Sequence, residues 1–120
     1  DYVAIDNLHV KGQLTLGENI ADLGGLTVSY DALQLDLANK KMQAIDGFSQ
    51  NQRFFMNWAT VWRRNYTADE LKVRLNTDPH SPAHYRAIGA PSNLDSFATA
   101  FSCKAGDAMV RSGDKKVTIW

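Results

Sequence analysis

Gly17-Glu18-Asn19-Ile20-Ala21-Asp22-Leu23-Gly24-Gly25-Leu26 carries two carboxylates four residues apart. At about 3.6 residues per helical turn, Glu18, Asp22, Gly25 and Ser29 share one stripe, with Leu16, Ile20 and Leu23 on the opposite side. Ala21 and Val28 flank the carboxylate stripe on one edge, Leu26 and Leu33 on the other. The stretch therefore predicts a helix over 14–39 whose two acids lie in an apolar surround. An ionised carboxylate there requires a cation, a metal or several donors. An acidic helix start, favoured by the helix dipole, is the purely structural alternative. Spacing alone leaves both readings open. Gly24 and Gly25 weigh against the structural one, since each glycine costs a helix about 1 kcal/mol relative to alanine. They imply close approach of another backbone or helix.

Composition sets the outer bounds. The 120 residues carry 44% hydrophobic residues, enough for one core, and a formal net charge of zero. Charges of both signs are scattered, so nothing points to nucleic acid or an anionic membrane as partner. No apolar run reaches the length of a membrane span. The start, Asp1-Tyr2-Val3, lacks Met and a charged-then-apolar leader pattern, and reads as a cut inside a longer protein. One cysteine, Cys103, makes no internal disulfide and is a buried thiol or the partner of something outside these residues.

Working outward, residues 1–13 read as a short extended stretch ending in a Val10-Lys11-Gly12 turn. Ile45-Asp46-Gly47-Phe48 reads as a loop. Ser49 caps a predicted helix over 50–64, with Phe54, Trp58, Val61 and Trp62 at i, i+4, i+7 and i+8. That aromatic stripe is read as core. Thr67-Ala68-Asp69-Glu70 has the form of a capping box and opens a helix to Leu75, with Leu71 and Leu75 on one face. Pro79 and Pro82 impose an irregular path on 77–82. A further helix runs from Ser92 to Phe101 and buries Leu94, Phe97, Ala98 and Phe101. Residues 104–116 form a loop, and Val117-Thr118-Ile119-Trp120 a final extended segment packed by its aromatic end. No repeat or internal boundary appears, so 1–120 is one unit.

His80 and His84 are four apart, a spacing that chelates metal on a helix. Pro82 between them argues against a regular helix there, and so against a self-contained site of Glu18, His80 and His84. Read without further context, His84 is a surface histidine and Arg86 a surface salt-bridge residue.

Glu18-Asn19-Ile20-Ala21-Asp22 resembles the E-N-x-A-D motif of the neprilysin family of zinc endopeptidases. Asp78-Pro79-His80-Ser81-Pro82-Ala83-His84-Tyr85-Arg86 resembles that family's D-x-H-x-P-x-x-x-R segment. Thr15-Leu16-Gly17, Val61-Trp62, Phe97 to Cys103, Met109 and the finish Lys115 to Trp120 extend the likeness over nearly the whole chain. Each piece is short, and their order and spacing together make the match specific. The family's animal members are rich in disulfides, whereas Arg63 and Val117 stand here at positions resembling two of their cysteines, which suggests a bacterial-type relative.

The resemblance implies a mainly α-helical fold, the C-terminal part of a zincin-type metallopeptidase catalytic domain. It implies Glu18 as the third protein ligand of a zinc ion and Asp22 as the acceptor that orients a zinc-binding histidine. The other two ligands belong to an H-E-x-x-H helix, which these 120 residues do not contain. His80 is implied as the donor to the oxyanion, and Arg86 as the guanidinium that binds a substrate carbonyl. Asp78, two residues before His80, is placed to orient its imidazole. Substrates are expected to be peptides, cut by metal-activated water on the amino side of hydrophobic residues. The resemblance favours an extracytoplasmic location, and the missing upstream part of the same protein as partner. The fragment alone is expected to be inactive, not to retain zinc and to self-associate. The other function class is a non-catalytic helical binding or interaction module on the same fold.

Overall fold

Residues 2–119 are described in the computed structural model. They form a short hairpin, β1 (Val3–Ile5) and β2 (Leu8–His9), followed by five helices. These are α1 (Gly12–Leu37), α2 (Gln50–Val61), α3 (Ala68–Thr77), α4 (Ala83–Gly89) and α5 (Asp95–Ala100). The mainly helical class expected from the sequence is found. At 26 residues α1 is about 39 Å long, in a molecule whose longest dimension is 48 Å.

The ends of the elements follow local chemistry. Asp6, at φ 49°, turns the chain between β1 and β2, a hairpin where the sequence suggested only an extended stretch. Helix α1 starts at Gly12, so the turn expected over 10–12 belongs instead to its entry. Ser49 forms a complete capping box at α2: its hydroxyl accepts from the Gln52 N–H, and the Gln52 side chain accepts from the Ser49 N–H. At α3 the Thr67 hydroxyl accepts from the Glu70 N–H, but the Glu70 carboxylate pairs forward with Arg74 at 2.9 Å. The box read at 67–70 is thus a single cap, because an i+4 guanidinium outcompetes a backbone N–H for the carboxylate.

Three segments differ from expectation. Helix α4 was unforeseen: the irregular path ends at Pro82 as expected, and Pro82 is then the N-cap of a further helix. The helix foreseen from Ser92 begins at Asp95, after a 3-10 turn over Pro91–Asn93. Helix α2 stops at Val61, three residues short of the boundary read from sequence. Val117–Ile119 is irregular, with Ile119 against the core, and Trp120 lies outside the described residues.

The core is a cluster of Leu23, Leu26, Phe55 and Ala90, with Tyr30, Phe54, Trp58, Leu94, Phe97 and Phe101 packed against it. Phe55 is its hub, stacked on Tyr30 at 5.4 Å and edge-on to Phe97 at 5.3 Å. The stripe read on α2 is therefore rotated. Phe55 is the buried residue, Phe54 and Trp58 border it, and Val61 is exposed. Helix α1 buries only Thr15, Leu23, Gly24 and Leu26, while Leu16 and Ile20 are exposed. One side of α1 packs on α4 and the 3-10 turn, and Tyr30 further along it packs on Phe54 and Phe55 of α2, while Leu16, Ile20, Val28 and Leu35 are exposed.

Candidate functional site

Helix α1 presents Glu18 and Asp22 to the segment that links α3 and opens α4, and each acid meets a cation-capable side chain there. Asp22 is the more enclosed, with its side chain 11% exposed. Both of its oxygens accept from Arg86: Nε–H at 2.7 Å and Nη2–H at 2.6 Å. Glu18 is half-exposed, not in the apolar surround read from the helical wheel, and its Oε2 lies 3.1 Å from His80 Nε2. The difference is one of position along the helix. Asp22 borders the core stripe of α1, and Glu18 lies a turn further toward the open end.

His80 is held by two partners, Glu18 at Nε2 and Asp78 at two points. Its backbone N–H donates to Asp78 Oδ1 at 2.9 Å, and its Nδ1 contacts the same oxygen at 2.7 Å. Asp78 Oδ2 accepts from Arg74 at 2.7 Å, and the Arg74 guanidinium lies over the Tyr66 ring at 5.4 Å. The His80 N–H, then its ring, hold the Asp78 carboxyl below its usual range, with Arg74 adding to the effect. A neutral imidazole donates through only one nitrogen, so the Asp78 contact bears on what Nε2 presents toward Glu18.

A second tie joins the two segments. Ser81, buried, donates its hydroxyl proton to Asn19 Oδ1 at 2.9 Å, and Asn19 donates in turn to the buried Thr15 hydroxyl at 3.2 Å. Asn19 thus fastens the His80 segment to the helix that carries Glu18. Neither this tie nor the Arg74–Asp78 pair was read from the sequence: the tie joins residues 62 apart that only contact reveals, whereas the pair stands at i, i+4 and its spacing was a signal that could have found it. His84 stands apart, exposed on α4 with its ring edge-on to Tyr85.

Among the described residues, no group of three or more His, Cys, Asp or Glu side chains clusters closely enough to hold a metal ion. Nor is any helix among them long and apolar enough to cross a membrane. Cys103 is partly buried, and a Cβ built on exposed Gly25 meets nothing within 4 Å. Of the glycine pair only Gly24 is buried, so a close approach to Gly25 is not made within the described residues.

A match to peptidase family M13 covers residues 1–117. The chain belongs to that family. It is 44% identical over 108 residues to an endothelin-converting enzyme homolog of Locusta migratoria, covering 88% of this chain and 15% of that protein. It is 38% identical over 115 residues to neprilysin of Homo sapiens, covering 93% of this chain and 15% of that protein. The zinc metalloprotease Zmp1 of Mycobacterium tuberculosis, solved in complex with an inhibitor, superposes with a TM-score of 0.89 at 42% identity. That superposition covers 95% of this chain and 17% of the other. The chain thus spans about 15% of the length of these curated M13 relatives.

The donor set can be tested against zinc, the metal named in that relative. Catalytic zinc sites use three protein ligands. Glu18 offers one accessible carboxylate, fixed on a helix and facing the segment that carries His80. The residues present fit as one ligand and its surroundings.

Proposed function

We propose that the chain is the C-terminal part of a zinc-dependent M13 endopeptidase, and that it supplies one zinc ligand together with the groups that hold substrate and stabilise the oxyanion. The observation that carries this reading is the convergence of Glu18, Asp22, His80 and Arg86, from two distant segments, into two adjoining pairs. When bound, zinc supplies a Lewis acid that activates water for attack on a peptide carbonyl.

Each residue has a task its geometry supports. Glu18 ligates zinc through its half-exposed carboxylate. Asp22 accepts two N–H bonds from Arg86, and its oxygens retain lone pairs that can accept from a zinc-binding imidazole. Asp78 accepts from the His80 Nδ1–H, and in its imidazolium form, with a proton on each nitrogen, the ring donates from Nε2 to the oxygen on which negative charge develops. Arg86 uses Nε and one Nη2 proton on Asp22, which leaves further N–H groups of its planar fork for a substrate carbonyl. The two other zinc ligands come from an upstream H-E-x-x-H helix of the same protein, so the chain alone neither keeps zinc nor cleaves peptides. Its substrates are peptides with a hydrophobic residue after the cut bond, and its location is extracytoplasmic.

The test is zinc content and hydrolysis of an internally quenched peptide by the longer protein and its Glu18→Gln variant. Zinc content and rate should both fall steeply. A variant that keeps full zinc and full rate removes Glu18 from the site and leaves the binding-module reading standing.

A further inference from the structure

Arg86 is gripped on more sides than its ion pair with Asp22 requires. Its guanidinium carbon lies 3.9 Å from the centroid of the Trp62 ring. Its backbone carbonyl accepts from the Trp58 indole Nε1–H at 3.1 Å. The two indoles, one turn apart at the end of α2, meet edge-on at 5.6 Å. Trp62 also carries a cost. Its Nε1 is buried and has no hydrogen-bond partner among the described residues. A phenylalanine would fill space there without leaving a donor unpaired. Indole, however, has the strongest π face for a cation among the aromatic side chains.

We infer that Trp62 and Trp58 are positioning residues for Arg86. The Trp62 face fixes the plane of the guanidinium, and the Trp58 N–H fixes the backbone from which Arg86 springs. The guanidinium is thereby sandwiched between an anion at its edge and a π face beneath it. Its unused N–H groups are held in one direction, so less rotamer freedom is lost when a carbonyl binds. This rests on the reading of Arg86 as the substrate-binding fork.

The experiment places tryptophan analogues with zero to three ring fluorines at position 62 of the longer protein, which weakens the π face and leaves the shape nearly unchanged. The KM of a quenched peptide should climb stepwise with fluorine count, reaching about 10-fold, the low-to-middle range of a cation–π contact, with kcat nearly constant. Trp58→Phe, which keeps an aromatic ring and loses the N–H, should raise KM about 3- to 10-fold, the worth of one hydrogen bond. Both effects should vanish on an Arg86→Met background. A KM indifferent to fluorine count, or equal fluorine effects with and without Arg86, overturns the clamp. If Arg86→Met itself leaves KM unchanged, the substrate role of Arg86 fails, and the clamp is then judged by melting temperature. Fluorination that lowers the melting temperature only when Arg86 is present upholds it, and additive shifts overturn it.

Discussion

Asp22 and Arg86, 64 residues apart in sequence, form a two-pronged ion pair, with side chains 11% and 14% exposed. It joins α1 to α4 beside the core residues Leu23 and Ala90. At such low exposure an unpaired partner is left poorly solvated, so the cost of breaking the pair exceeds that of deleting it.

Asp22→Asn should therefore destabilise the longer protein by about 1.5–3 kcal/mol, the worth of a charge-assisted hydrogen bond. The double variant with Arg86→Met should cost less than the sum of the two single changes. Denaturant unfolding midpoints for the four proteins check this. Strictly additive losses would falsify the pairing.

Acid should loosen the His80 segment late. The Asp78 carboxyl ionises near 3.8 when unfolded and below that when folded, because the His80 N–H and ring stabilise its charge. A depressed folded value contributes stability that is fully present above about 3.8 and is lost as pH falls through the lower folded value. Asp78→Asn should abolish that component. Hydrogen exchange of the His80 amide between pH 5 and pH 2.5 in both proteins measures it, and identical profiles would contradict it.

His80→Phe in the longer protein should retain its zinc and lose about 10²- to 10³-fold in kcat, with KM little changed. On the proposed reading, its contact with substrate belongs to the transition state. Loss of zinc would instead make His80 a ligand and reopen the self-contained site with Glu18.

The two helix caps should separate in energy. Ser49→Ala removes one half of a reciprocal pair and should cost about 1–2 kcal/mol, while Thr67→Ala removes a single bond and should cost about 0.5–1 kcal/mol. Chemical denaturation of each variant ranks them, and a larger loss at Thr67 would contradict the hydrogen-bond assignment.

The 120-residue chain by itself should bind a hydrophobic dye and associate. Leu16, Ile20, Val28 and Leu35 on α1 are 57%, 42%, 57% and 79% exposed. Light scattering and dye fluorescence test this. A monomer with a sharp, high-temperature melt would show the chain to be self-sufficient.

Elements set by neighbouring residues were legible in the order of amino acids. The two carboxylates of α1, the Ser49 cap and the breaks at Pro79 and Pro82 each follow from chemistry within a few positions. The link from Asp78 to His80 also follows from a local spacing, whereas Glu18, Asp22, His80 and Arg86 were singled out together by the resemblance of their two segments to the neprilysin family's motifs. What tertiary structure decided is which residue faces which. Helical spacing could not say that Phe55 rather than Val61 is buried, since that depends on which side of α2 meets Tyr30 and Phe97. It could not join Asp22 to Arg86, seat Arg86 on Trp62 or tie Asn19 to Ser81. Ion pairs and hydrogen bonds act over a few ångströms, and only the packing of α1 against α4 brings residues more than sixty positions apart within that range.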